Sequence, residues 1–467
     1  MPGSSPRTLP IGRNPCAYEP PSLLFWHEAG HDGFPGVLCI PWRHPMKIFL
    51  SAYACEPEKG SEPGIGWNVA LELAKYHEVH VLTRANNRES IEAALSGHQG
   101  PLPHFHYYDL PRWLTFWKKK RRGYHLYYYL WQYGAYFHYR RWLSRERFDV
   151  VQHLTFANWA MPSLFLREKG PLTVYGPIGE VHTPSVIRGG LSWGIRWKDR
   201  LRSWGMWLFT HGEPCRVLTP YWAGLILESG HLGVPSGFPS RFRKKVLPHP
   251  QTGINPDEPE YGQCARQRSA DGKVRLLICS EFLHWKGVTF ACEIFGRIAS
   301  RRQDVELHIY GKGPEEKAMR KILATHGVTQ KAHWFGFVGK QEMLQALCDA
   351  DILLYPSYHH GLATLILQAM WAGLPIVAML DDPVAQVVAQ GAGVVGHGET
   401  MAALLEDLTR RTLELIQDSA LRRRCGEAGK RLIREEYAWS ASVGRLSALL
   451  EREVQRRRPG NSASSSR

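Results

Sequence analysis

Short apolar runs alternate along this chain with stretches of helical period, and the alternation goes through two rounds. In the first round the strand candidates are residues 47–53, 78–84, 104–110, 148–154, 172–175 and 216–219; in the second they are 274–280, 305–310, 333–335, 352–355 and 375–379. Helical patterns lie between them, among them 289–299, 315–325 and 341–350. A strand, a crossover helix and a second strand make a parallel pair, because a tight turn cannot reach a parallel neighbour. Strands covered on both faces by such helices read as unbroken apolar runs, as MKIFLSAY at 46–53 does. The expected fold class is α/β, with two Rossmann-like, doubly wound parallel-sheet domains. Length agrees, since 467 residues exceed one ordinary core. Open parallel sheets bind ligands at the carboxyl ends of their strands, so two such domains would bind theirs in a central cleft.

The ordered part is expected to begin near Met46. Residues 1–45 hold nine of the 31 prolines and show no sustained period, which reads as a dispensable, disordered extension or as translation from an upstream start codon. They include His27, Glu28 and His31 in an HExxH pattern. Zinc chemistry would need both imidazoles on one helix face, yet Pro20 and Pro21 precede the pattern and Gly30, Gly33, Pro35 and Gly36 break it. It reads as a chance match, and no metal site is expected. The first domain is placed at 46–250, the second at 265–435, with the boundary inside the Pro-, Gly- and Gln-rich stretch 247–272. An amphipathic helix at 436–456 and a disordered tail at 457–467 follow.

Nine cysteines are scattered without CxxC pairs, which suits a reducing cytosol rather than a disulfide framework or a structural zinc site. No basic segment with a compact apolar core opens the chain as a secretory signal would. Residues 361–380 are apolar enough to suggest a membrane span, but Gln368, Gly373 and Pro375 divide them into an apolar helix, a glycine stop and a buried strand.

The formal net charge is +15, and its location narrows the partners. No acidic residue stands between Asp109 and Glu146, where nine lysines and arginines interleave with thirteen aromatics; a second basic, Trp-rich stretch covers 187–209. Rings and cations together favour an anionic membrane surface. Alternatively, many of the rings are core and the cations form a solvated helix face. No nucleic-acid partner is expected, since no RRM, KH or helix-turn-helix signature is present.

Three loops at strand ends carry candidate chemistry. After the first strand, Gly60, Ser61, Gly64 and Gly66 lead into a helix expected near Ile65, a setting for an anion, although the GxGxxG fingerprint is absent. In YPSYHHGLATLILQAMWAG, His359, His360 and Gly361 precede a buried helix whose first amides, near Leu362, Ala363 and Thr364, would donate into the cleft. Gln368 adds polar atoms to that apolar helix and needs partners, which ligand hydroxyls would supply. Lys286, in FLHWKG just beyond the first strand of the second round, is placed to neutralise phosphate.

The stretches GSEPGIGWN, FDVVQHLTF, YGPIG, VLPHPQTGIN, HWKG, IYGKGPE, FGFVG and YPSYHHGLATLILQAMWAGLPIV occur in an order and spacing that resembles glycosyltransferase family 4, the retaining transferases of GT-B fold. The resemblance spans residues 46–451. It implies an acceptor held by the N-terminal domain and a nucleotide-diphosphate sugar, UDP- or GDP-linked, held by the C-terminal one, with no other cofactor. It further implies that Lys286 neutralises the leaving diphosphate and that the amides of Gly361, Leu362, Ala363 and Thr364 cradle its phosphates. Gln368 would hold the ribose, Gly60 and Gly64 would form the loop against diphosphate and acceptor, and His153 and His360 would face the sugar. The final helix would cross back to the first domain.

The family's acidic pair stands here as His360 and Gln368, and its arginine as Glu281, so the motif is degenerate. The expected activity is hexosyl transfer with retention, in which the leaving phosphate takes the acceptor's proton and no separate protein base is required. The acceptor would be a lipid-linked glycan of cell-envelope or exopolysaccharide biosynthesis, met in the cytoplasm at the inner face of the membrane. A sugar-nucleotide-binding or scaffold protein without turnover is the alternative.

Overall fold

The computed structural model describes residues 45–115, 124–158, 162–178, 221–229, 240–262, 272–358, 362–379 and 383–458, together with Trp197, Arg200 and Trp204. Pro45–Arg467 forms one compact unit. Its first sheet has seven parallel strands: β1 (Lys47–Ser51), β2 (Glu78–Arg84), β3 (His104–Tyr108), β4 (Val150–His153), β5 (Leu172–Ile178), β6 (Leu225–Glu228) and β7 (Val246–Pro248). The second has six: β8 (Val274–Cys279), β9 (Val305–Tyr310), β10 (Ala332–Gly336), β11 (Ile352–Leu354), β12 (Ile376–Met379) and β13 (Gly393–Gly396). The orders are β3-β2-β1-β4-β5-β6-β7 and β10-β9-β8-β11-β12-β13. Each sheet therefore grows outward from its first strand to one edge and then resumes on the other side. The two switch points, β1/β4 and β8/β11, are where crevices open at the carboxyl ends of the strands.

The described α-helices of nine residues or more are α1 (Ser61–Ala74), α2 (Arg88–Ser96), α3 (Tyr124–Glu146), α4 (Val288–Ala299), α5 (Glu316–Thr325), α6 (Lys340–Asp349), α7 (Thr364–Ala372), α8 (Met401–Gln417), α9 (Ser419–Leu432) and α10 (Trp439–Arg457). Three strands escape a reading of the sequence. LILE, VLP and GVVG, at β6, β7 and β13, are only four, three and four residues long, too short to show a period. The strand expected at 216–219 lies outside the described residues, as do residues 1–44 and 459–467. Residues 364–379 divide as expected: α7 stops at Gly373, whose φ of 73° is left-handed, and β12 follows, fully buried. Among the described residues no helix is long and apolar enough to cross a membrane.

Helix α10 follows the second sheet in the chain but packs on the first. Trp439, Val443, Leu446, Leu450 and Val454 recur every three or four positions and join one core with Ile48, Leu50, Val69 and Leu73. His77 Nε2 and Ser447 Oγ are 2.6 Å apart across that contact. The entry to α10 runs beside the segment joining the sheets: Ile254 N–H donates to Tyr437 O (3.0 Å) and Trp439 N–H to Ile254 O (2.9 Å). Gly253 permits this approach, because a Cβ there would lie 2.8 Å from Tyr437 O.

Helix α3 resolves the aromatic stretch into two faces. Tyr127, Tyr128, Trp131 and Leu143 are buried with Phe49 and Tyr53, whereas Leu126, Leu130, Tyr133 and Phe137, spaced four, three and four apart, face outward. The aromatic stretch thus divides between core on one side of the helix and exposed rings on the other.

If α10 is a structural part of the first domain, Leu450→Ala, at a fully buried position, will lower unfolding free energy by about 2–5 kcal/mol. Urea denaturation measures it; a change near zero would mean that the helix is a loose appendage.

Candidate functional site

At the switch point of the second sheet the chain leaves β8, makes a 3-10 turn at His284–Lys286, and enters α4 through Gly287. Gly287 has a φ of 66°, and a Cβ there would lie 1.9 Å from Pro356 O. Glycine is required for this contact, which brings the loops after β8 and β11 together. Tyr358 N–H and Ser357 Oγ both donate to Trp285 O, at 3.0 and 3.2 Å. Lys286 Nζ donates to Tyr355 Oη (2.9 Å) and lies 5.5 Å from the centre of that ring. The lysine expected from the sequence is thus held across the crevice by a tyrosine that the sequence did not single out.

Past β11, His360 and Gly361 lie outside the described residues. Leu362 and Ala363 lead into α7, with Ala363 extended as N-cap and offering no side-chain hydrogen bond. The first amides of a helix have no intrahelical acceptor, and the N-cap side chain supplies none here, which leaves the positive end of the α7 dipole at the switch point. Gln368, one turn on, is buried. Its Nε2 donates to Tyr261 Oη at 3.4 Å, and the Tyr261 ring meets Trp371 edge to face, with centroids 4.6 Å apart. Gln368 therefore has a protein partner, from the segment that joins the two sheets.

In the first domain, helix α1 begins at Ser61, not near Ile65. The reason is local: Pro63 suits a first helical turn, where its missing N–H costs nothing. Gly60 is the extended N-cap, and Gly64 packs so closely that a Cβ would lie 2.1 Å from Lys59 O. Glu62, in the same turn, ties three segments together: its carboxylate accepts from Phe156 N–H (3.0 Å), beyond β4, and from Gln251 Nε2 (3.2 Å), in the joining segment. Burial pushes the Glu62 carboxyl above its usual range. Glu62 lies inside the motif GSEPGIGWN, but nothing local in the motif shows that it reaches Phe156 and Gln251.

His153 ends β4 and is buried. Its Nε2 lies 2.9 Å from Tyr128 Oη, and its ring stacks on Tyr175 with centroids 5.3 Å apart. Burial pushes its pKa down to about 3, so the imidazole is neutral. Away from both crevices, Glu306, His308 and His333 bring possible metal-ligand atoms within 4.8 Å of one another. The Glu306 carboxylate there already pairs with Arg275 Nε (2.9 Å) and Lys273 Nζ (3.6 Å). The five described cysteines, Cys55, Cys279, Cys292, Cys348 and Cys425, are buried and form no disulfide with one another.

Residues 264–432 match the family model of glycosyl transferases group 1. Similar proteins include the GDP-mannose-dependent monoacylated alpha-(1-6)-phosphatidylinositol monomannoside mannosyltransferase of Corynebacterium glutamicum, 29% identical over 175 residues, which are 36% of this chain and 44% of that one. The 2-deoxystreptamine glucosyltransferase of Streptomyces kanamyceticus is 26% identical over 38% of this chain and 44% of its own. The match spans less than half the length of these relatives. Among solved structures, WaaG, a glycosyltransferase involved in lipopolysaccharide biosynthesis, has a TM-score of 0.52 at 18% identity and covers 86% of this chain and 99% of its own. Anabaena HepE in complex with UDP and glucose has a TM-score of 0.51 at 13% identity, over 87% and 100%. At such identities the likeness is one of fold.

The buried histidine sets a pH dependence. Unfolded, His153 titrates near 6.5, while folded it resists protonation down to about 3. Below about 6.5 the unfolded chain therefore binds more protons, and the contribution to stability that is present above that pH is lost as the pH falls toward the folded value. Unfolding free energy should drop by up to about 1.4 kcal/mol per pH unit on account of this group. Urea titrations at about pH 7.5 and 5.5 should show a smaller drop in His153→Gln than in the wild type; equal drops would contradict the assignment.

Proposed function

We propose that this chain, whose residues 264–432 match glycosyl transferases group 1 and whose fold is like that of WaaG, is a family 4 glycosyltransferase of GT-B fold that moves a hexose, with retention, from a nucleotide-diphosphate sugar to a glycan acceptor carried on lipid. The observation that carries this reading is the pairing, at one switch point, of a tethered cation with an uncapped helix terminus: Lys286 beside Tyr355, and Thr364 at the start of α7. Two fixed donors of positive potential suit a diphosphate whose charge grows as it leaves. Lys286 stabilises the departing phosphate, the amides at 361–364 cradle it, and Gln368 takes a ribose hydroxyl after exchanging its bond to Tyr261. His153 and His360 face the sugar, and the turn from Gly60 to Gly64 closes against diphosphate and acceptor. The leaving oxygen accepts the acceptor's proton on the same face. UDP and GDP both remain open as the leaving group: one relative is named for GDP-mannose, and a neighbour in fold was solved with UDP and glucose.

The lipid part rests on α3. Leu126 and Phe137 are 55% and 56% exposed on the same side as Leu130 and Tyr133, and Arg140 lies over the Phe137 ring. Apolar groups beside guanidinium groups suit the headgroup layer of an anionic bilayer. A relative named for phosphatidylinositol monomannoside supports a lipid acceptor, and the inner face of the cell membrane is the corresponding place of work.

A second reading is binding without turnover. Glu281 is exposed where the family has an arginine, and Gln368 offers no charge to the ribose. Loss of one preorganised electrostatic group commonly costs about 10²- to 10³-fold in rate.

Calorimetry with UDP, GDP, ADP and CMP tests the donor site: one diphosphate should bind, about tenfold or more weakly in Lys286→Ala and in Gln368→Ala, as loss of a charged or buried hydrogen bond predicts. Binding unchanged in both variants would remove the site. Flotation with anionic vesicles at low salt should recover the protein and should fail for Leu126→Glu/Phe137→Glu; indifference to lipid charge would end the membrane reading.

A further inference from the structure

Ser51, His153 and Tyr175 end or lie along β1, β4 and β5 in register with one another, so their side chains share one face of the sheet at its switch point. Ser51 and His153 are 0% and 1% exposed, and Ser51 Oγ and His153 Nδ1 have no hydrogen-bond partner. A buried polar atom left in that condition costs about 1–3 kcal/mol, so two on neighbouring strands call for an account.

Tyr128 supplies the first half of it. Its Oη lies 2.9 Å from His153 Nε2, 3.5 Å from Thr155 O and 3.3 Å from Phe156 O. A carbonyl can only accept. When the phenol proton goes to a carbonyl, Oη is free to accept from Nε2–H; two hydrogen bonds form, and the atom left over, Nδ1, is a lone pair. When the phenol proton goes to Nε2 instead, one bond forms and a buried Nδ1–H is stranded. Buried donors without partners are rarer than under-used acceptors, so the first arrangement wins. The Phe156 carbonyl also accepts from Asn158 Nδ2 (3.1 Å), and its second lone pair is the one open to Tyr128. Phe156 has a φ of 60°, unusual for a bulky side chain, and its own N–H donates to Glu62.

We propose that Tyr128 is a positioning residue that fixes His153 as the Nε2–H tautomer, so that bare Nδ1 accepts from, and Ser51 Oγ–H donates to, one and the same hydroxyl group. One hydroxyl has a proton for Nδ1 and lone pairs for Ser51, so it can satisfy both atoms, which a carboxylate or phosphate oxygen without a proton cannot. That hydroxyl belongs either to a water molecule or to the sugar of the donor; the latter source rests on the reading that His153 faces the transferred sugar.

The test is long-range proton–nitrogen NMR on the full chain labelled with ¹⁵N-histidine, with His153 identified by its loss in His153→Gln. The proposal expects the proton on Nε2, exchanging slowly with water, and about tenfold faster in Tyr128→Phe, the equivalent of one ordinary hydrogen bond. A proton on Nδ1, or an Nε2–H whose exchange ignores Tyr128→Phe, overturns it. Should that variant fail to fold, the protonated nitrogen of the wild type still decides. A shift of Nδ1 on adding UDP-glucose or GDP-mannose, but not UDP or GDP, assigns the hydroxyl to sugar; a shift in Ser51→Ala without nucleotide assigns it to water. An Nδ1 that answers to neither overturns the shared hydroxyl. The expected tautomer with no answer to any nucleotide instead removes the sugar-facing reading of His153 and leaves the role of Tyr128 in place.

Discussion

Parallel pairing is the constraint on which the rest of this structure depends. Every strand in both sheets runs the same way as its neighbours, so every loop that leaves a strand emerges at one edge. The chain then has two places, β1/β4 and β8/β11, where adjacent strands send their loops to opposite sides and a crevice must open. The candidate groups collect at those two places: Ser51 and His153 at the first, Lys286, Tyr355 and the start of α7 at the second. Close backbone approach does the remaining positioning. Gly287 against Pro356 and Gly64 against Lys59 admit no side chain, so the loops are fixed by contact rather than by length.

Contacts from outside each sheet then couple the two halves. Helix α10 completes the core of the first sheet after the chain has built the second, and its entry pairs with Ile254 in the joining segment. Glu62 reaches Gln251 in that segment from the first turn of α1, and Tyr261, from the same segment, reaches Gln368 in α7. The joining segment thus touches a candidate group in each domain.

What was legible in the sequence follows from range. Lys286 and Gln368 stood out because their oddity is local: a cation just past a buried strand, and one amide inside an apolar helix. The long strands were legible for the same reason, and the short β6, β7 and β13 were not. Tyr128 was lost among the thirteen aromatics of its stretch, because its partner His153 is 25 positions away. Glu62 was read past, since its meaning lies in Phe156 and Gln251, 94 and 189 positions on. Tyr261 faces Gln368 across 107 positions, so a residue that looked ready for a ribose has a protein partner that no local pattern announces. His360 and Gly361 lie outside the described residues, and their part in the site stays a proposal.

Retention, as proposed above, is read from the stereochemistry of the product. The full chain would be incubated with a lipid extract and with UDP-glucose or GDP-mannose labelled in the sugar, and the labelled lipid product analysed by NMR at its anomeric carbon. Label is expected in the lipid fraction from one of the two donors, with the anomeric configuration of that donor preserved. An inverted product would contradict the mechanism, and donor that binds while its label never leaves the nucleotide would identify a protein that has kept the site and lost the reaction.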